Sequence, residues 1–169
     1  MTYAYRNSSG DIVALSTAER TLEEAQSRNP DIVTIDADPP QADVDEFEEA
    51  QQLSMVKASR FSTIDSKTDD LIAQGFTYNG KKFSLSLASQ MKMMGAHEAR
   101  DDAAMTYPIV WNTLGDDDVY AIQNSDDLHG FYLTGVGTVR ARLDSGTALK
   151  NQVRNAATLA EVAAITDDR

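Results

Sequence analysis

Two short β-patterned runs, Tyr3 to Arg6 and Ile12 to Leu15, flank the turn-forming cluster Asn7-Ser8-Ser9-Gly10-Asp11, which predicts an N-terminal hairpin. Ser16 or Thr17 then offers a helix cap. Glu19, Glu23 and Glu24 follow where the positive end of the helix dipole favours anions, and Asn29-Pro30 stops the helix after Arg28. Ile32, Val33 and Ile35 are β-branched and predict a third strand. Residues 1 to 38 therefore read as a small ββαβ lobe with a thin core.

Pro39-Pro40, inside the stretch Asp36 to Ala42, predicts an extended connector and a domain boundary. Residues 39 to 56 read as this linker and the start of a long helix, and residues 57 to 169 as a second domain. From Asp43 to Gln74 the positions Val44, Phe47, Gln51, Met55, Ala58, Phe61 or Ser62, Asp65, Thr68 and Ile72 recur by threes and fours. Acidic residues crowd the start of this helix and Lys57, Arg60 and Lys67 come later, which suits the dipole. At about 1.5 Å per residue it spans nearly 50 Å. Its length and its interrupted stripe predict pairing with copies of itself, as a homo-oligomer such as a trimer.

The stretch from Leu71 to Leu87 is the most strongly specified. Gly75 after an apolar helical pattern is a left-handed cap, Asn79-Gly80 is a type I′ hairpin turn, and Ser86 is the next N-cap. That turn pairs Tyr78 with Lys81, Thr77 with Lys82 and Phe76 with Phe83, placing Phe76, Tyr78, Phe83 and Leu85 on one face. A third helix follows to about Ala103, with Leu87, Met91, Met94 and Ala99 as its apolar side. Tyr107 to Asn112 and Val119 to Ile122 predict a second hairpin around Thr113 to Asp118. Ser125 with Asp126 and Asp127 then starts a helix whose stripe runs through Leu128, Phe131, Gly135, Val139 and Leu149 to Val153. Thr158-Leu159-Ala160-Glu161 is a capping box for a last short helix to about Ile165. The fold class is α+β: a helix-dominated domain with two long helices and two β-hairpins, preceded by the ββαβ lobe.

Composition narrows the function. Lys and Arg total 15 against 27 Asp and Glu, a net charge of −12, which disfavours nucleic acid and anionic membrane surfaces alike. No run approaches the roughly 20 apolar residues of a membrane span, and the first residues lack a signal-peptide core, so a soluble protein made in the cytoplasm is expected. With no cysteine in the chain, thiolate chemistry and disulfides are excluded.

Candidate chemistry is sparse. His97 beside Glu98 is a candidate for metal binding or proton transfer, but His129 is the only other histidine and no HExxH-type spacing occurs. Asp116-Asp117-Asp118 and Asp126-Asp127 lack the glycine and distal glutamate of a calcium loop and read as a solvated turn and a helix start. Gly135-Val136-Gly137 follows no strand and reads as close helix packing, not as a phosphate loop. Met91, Met93, Met94 and Met105 read as core filling rather than an adaptable partner surface. No serine has a nucleophile context. The sequence assigns no catalytic, cofactor-binding or metal-ligating residue.

The run Gln74-Gly75-Phe76-Thr77-Tyr78-Asn79-Gly80-Lys81-Lys82-Phe83, then Ser89-Gln90, the segment Tyr107 to Thr113 around Trp111, Ala148 to Val153, and Thr158-Leu159-Ala160-Glu161 together resemble a domain of unknown function found in bacteriophage tail and tail-fibre-associated proteins. The resemblance covers roughly Lys57 to Thr166. It implies a virion protein of the tail, synthesised in the host cytoplasm, with other tail or fibre proteins as partners and no catalytic motif. The expected function is a structural adaptor subunit. The alternatives are a tail-fibre assembly chaperone and, with less support, a small tail-tip hydrolase.

Overall fold

The computed structural model describes every residue from Met1 to Arg169. It is an α+β structure with the element order β1 (Tyr3–Arg6), β2 (Ile12–Ser16), α1 (Leu22–Gln26), β3 (Thr34–Ala37), α2 (Gln41–Ala73), β4 (Phe76–Tyr78), β5 (Lys81–Phe83), α3 (Leu87–Glu98), β6 (Ile109–Asn112), β7 (Val119–Ile122), α4 (Ser125–Asn155) and α5 (Leu159–Ala164). Two compact units divide the chain, Met1–Lys57 and Ala58–Arg169, and the division falls within α2.

In the first unit β1 is the central strand of an antiparallel sheet ordered β2-β1-β3. Alternation along β1 turns Tyr3 and Tyr5 to one side, where they join Ala25 and Ile32 in a small core. The Arg6 guanidinium reaches Asp36 on β3 at 3.3 Å and Asp43 on α2 at 2.7 Å. Three expectations need correction here. The helix begins not at Ser16 or Thr17 but after Thr21, whose hydroxyl accepts from Glu24 N while Glu24 accepts from Thr21 N. Ser16 is held in β2 by its pairing with Tyr3, so sheet pairing overrides its capping preference. The third strand is centred later than expected. Ile32 is a core residue ahead of it, and Val33 N already donates to Arg6 O. Asp36 to Ala42 is not an extended connector: β3 reaches Ala37 and α2 starts at Gln41. Pro39-Pro40 therefore sits at the head of the helix, where a missing N–H costs nothing.

In the second unit the hairpin β4–β5 has the expected register, Phe76 with Phe83, Thr77 with Lys82 and Tyr78 with Lys81. Asn79 and Gly80 both have positive φ, at 46° and 77°. Gly75, at φ 77°, does more than cap α2, because a Cβ there would lie 2.0 Å from the Phe83 carbonyl oxygen. Leu114 N donates to Lys82 O, which ties the β6–β7 loop to β5.

The core is Phe76, Phe83, Leu85, Met93, Trp111, Ile122, Leu128 and Phe131. Phe131 lies at the centre of its rings, 5.0 Å from Phe76, 4.9 Å from Phe83, 5.2 Å from Trp111 and 5.5 Å from Tyr78. Lys92 Nζ lies over the Trp111 ring, 4.3 Å from its centre. Buried glycines let α4 make close contacts: a Cβ on Gly135 would press on Met93 and Phe76, and one on Gly146 would lie 2.6 Å from the Thr68 hydroxyl on α2.

The last residues fold back onto α2 and α4. Arg60 donates to Ile165 O, and Arg169 donates to Thr68 Oγ1 at 2.9 Å and Ser145 Oγ at 3.2 Å. Arg169 also grips Asp167 at 2.7 Å and holds that carboxyl down at about 2.

Two helix faces differ from the sequence pattern. In the C-terminal half of α2 the buried side is Ile64, Thr68 and Leu71, while Ala58, Ser62 and Asp65 are exposed. On α3, which ends at Glu98, Met93 is the buried residue, and Leu87, Met91, Met94 and Ala99 face outward. The cap of α4 lies one residue earlier than expected, at Asn124, which accepts from Asp127 N. Thr158 caps α5 as expected, and Glu161 folds back onto Ala157 N.

The two hairpin glycines separate two kinds of constraint. Gly80 has open space around it, so Gly80→Ala carries only the left-handed penalty of about 1–2 kcal/mol. Gly75→Ala carries the same penalty and must also push the Phe83 carbonyl aside. Urea unfolding of the two variants should place Gly75→Ala clearly below Gly80→Ala, and Gly80→Ala below the parent.

Candidate functional site

The polar and apolar groups that could form a site gather on α3, α4 and the loops of the second unit. Their positions depend on two helix starts. Ser86 caps α3 through Ser89 N, and Asn124 caps α4 through Asp127 N, so each helix has a fixed beginning and a fixed rotation.

The two histidines of the chain, 32 residues apart in sequence, meet across α3 and α4. His97 Nε2 and His129 Nδ1 are 2.8 Å apart. The His97 ring also lies flat on Tyr132, with ring centres 4.0 Å apart and planes 15° apart. Arg100 Nη1 stands 3.5 Å from His97 Nδ1 and can only donate. This contact suits the tautomer in which His97 Nδ1 accepts and Nε2 donates its hydrogen to His129 Nδ1. Burial, the Arg100 charge and His129 push the His97 pKa below its ordinary 6.5.

The same arrangement argues against a metal. A ligating histidine donates its second N–H to an acceptor, whereas the second nitrogen of His97 faces a guanidinium. No group of three or more His, Cys, Asp or Glu side chains is placed to hold a metal ion.

Asp127 and the three aspartates of the β6–β7 turn each accept a hydrogen bond from a neighbouring side chain. Asp127 accepts from Tyr78 OH and Tyr120 OH, both at 2.9 Å, and from Gln123 N at 2.9 Å. Burial and this carboxylate push the Tyr78 hydroxyl up to about 12. Gly130 makes the approach possible, since a Cβ there would lie 2.8 Å from Tyr78 OH. In the β6–β7 turn Asp116 accepts from Asn112 and Asp117 from Thr113. Asp118 pairs with Lys81 at 2.5 Å, which lowers its pKa. These carboxylates close turns and anchor hairpins.

The methionines divide. Met93 and Met105 belong to the core or its edge, whereas Met91 and Met94 are exposed. With Leu87 they form one wall of an open groove of about 380 Å³, and Tyr132, Val136, Val139 and Leu143 of α4 form the other. Gly135 is buried as close packing requires, but its neighbour Gly137 has nothing within 4 Å of a built Cβ. Neither the histidine pair nor the groove was legible from spacing: each joins positions about thirty or more residues apart, and only a knowledge of how α3 packs on α4 brings them together.

No family model, no curated protein and no solved structure matches the chain. No helix is long and apolar enough to cross a membrane.

The histidine pair predicts a pH dependence. Above 6.5 His97 is neutral both folded and unfolded. Below it the unfolded chain binds a proton that the folded chain resists, because burial disfavours the charged ring and that proton would also face Arg100 at Nδ1. Stability contributed here is therefore fully present above pH 6.5 and falls as the pH drops through the lower folded value. Urea titrations from pH 7.5 to 5 should show this decline in the parent, and His97→Phe, which keeps a ring on Tyr132, should flatten it.

Proposed function

We propose that the chain is a structural component of a bacteriophage virion: a tail or tail-fibre adaptor subunit that joins other tail proteins, associates with copies of itself and performs no catalysis. What carries this reading is the work done by the residues that resemble the phage-tail domain. Gly75, Asn79 and Gly80 set turns, and Phe76, Phe83, Trp111 and Val153 are buried. Gln90 donates to Leu85 O, and Thr158 caps α5. Every one of these roles serves architecture. The polar groups that do converge, His97 with His129 and Tyr78 with Tyr120 and Asp127, are satisfied by one another and leave no nucleophile beside a base.

The two ends of the chain have separate jobs in this proposal. Residues 1 to about 38 dock onto another virion protein, and residues 57 to 166 form the exposed or fibre-bearing module. β3 is an edge strand of the first sheet, and an edge has a row of backbone groups able to extend a partner's sheet.

Mass spectrometry of purified particles should find the chain in the mature tail; its presence during assembly and absence from finished particles would make it a chaperone instead. Removal of residues 1 to 40 supplies a second test. The remaining chain should keep its helical circular dichroism and fail to enter particles, whereas normal incorporation would place the docking surface elsewhere.

A further inference from the structure

The groove between α3 and α4 is an apolar face without a cover from its own chain. Its walls are unusually bare: Leu87 is 74% exposed, Met91 60%, Met94 51%, Val136 42% and Leu143 50%. Together these five residues open on the order of 500 Å² to solvent, near the upper end of what the largest patch on a monomer exposes. Met91 and Met94 are one turn apart on α3, and Val136 and Leu143 are two turns apart on α4, so the face is a rigid two-helix surface.

We propose that this face binds the same face of a second copy, so that α3 and α4 of two chains pack as a two-fold, four-helix interface. Area is the first argument. Two such faces remove on the order of 1,000 Å² from water, the lower bound for a specific interface, before any contribution from Tyr132 or the aliphatic stems around them.

Charge is the second argument. In a chain of net charge −12, the charged residues lining this groove are one cation and one anion, Arg140 and Asp144, which pair at 3.6 Å. The face is therefore neutral, and copies meet here without bringing like charges together. A basic or acidic partner would find no net charge to recognise it.

The third argument is the pair of glycines beside the groove. Gly95 follows Met94 on α3, and Gly137 follows Val136 on α4. A Cβ on either would meet nothing within 4 Å in its own chain. Each costs its helix about 1 kcal/mol relative to alanine with no packing gain inside the chain. A helix of a second copy lying close against these positions supplies that gain.

This inference rests on the self-association in the proposed function, though not on its virion setting, and it places the contact on α3 and α4 instead of α2. Light scattering and sedimentation of the full chain from low to high micromolar concentration test it, with circular dichroism checking that each variant folds. The expected parent mass is twice that of the chain. Met91→Glu and Leu143→Glu, both at exposed positions, should each return it to the single-chain mass. Met55→Glu on α2, with the same charge change at an exposed apolar residue, should leave the dimer intact. Gly137→Ala should weaken the dimer severalfold while raising the melting temperature of the dilute monomer, two effects of opposite sign that a purely structural glycine would not produce. In the parent, amide exchange across residues 132 to 144 should slow as concentration rises, which tests the face without any substitution. A monomer at every concentration overturns both the face and self-association. An oligomer dissolved by Met55→Glu and untouched by the groove variants overturns the face alone and returns the contact to α2. A monomer that instead captures another protein through Met91 and Leu143 also overturns it.

Discussion

Phe131 is the residue on which the larger unit depends. A single ring from the second turn of α4 touches rings from β4, β5 and β6, and each of those contacts sits within the 4.5–7 Å range where aromatic pairs attract beyond their buried area. The ring can be there only because Asn124 fixes where α4 begins, and the hairpin can present Phe76 and Phe83 together only because its turn sets the register. Gly75 then lets β5 close over the end of α2. Local turn chemistry, a helix cap and one aromatic contact thus determine the same arrangement from three directions, the mutual consistency expected of a sequence that specifies one fold.

What could be read from the sequence follows from the range of each interaction. The β4–β5 hairpin was legible because its determinants, Gly75 and Asn79-Gly80, act within a few residues and admit few alternatives. The apolar face of α3 was misread for the opposite reason. Leu87, Met91, Met93 and Met94 make the helix apolar on more than one side, so periodicity alone cannot tell which side turns inward; Met93 does, because it meets Gly135 and the core. The start of α1 was misplaced because Ser16 and Thr21 are both good caps, and the choice was made by pairing of Ser16 with Tyr3 across the sheet. His97 and His129 gave no local signal at all, and their contact follows entirely from the packing of α3 on α4.

The polar groups show how a strongly acidic chain is kept in order. Asp127 and Asp118 accept from side chains of other elements at 2.5 to 2.9 Å, and Asp167 accepts at 2.8 Å from Arg169 two residues on, so these carboxylates pin two hairpins and shape the last residues. The same carboxylates that contribute to the net charge serve as local fasteners, and no group of three or more His, Cys, Asp or Glu side chains comes together to hold a metal ion. Exposed pairs such as Arg140 with Asp144 contribute little by themselves, about 0–1 kcal/mol.

Trp111 gives this molecule a built-in optical probe. It is the one indole in the chain, it is buried in the core of the unit Ala58–Arg169 against Phe131, and Lys92 holds a cation over its face. Its emission therefore reports on that unit alone, while the unit Met1–Lys57, whose aromatic residues include Tyr3 and Tyr5 but no tryptophan, is silent at the same wavelength. Melting followed by indole fluorescence and by far-ultraviolet dichroism will coincide if the two units unfold as one and separate if they do not, so the cooperativity of the whole chain can be measured without attaching a label.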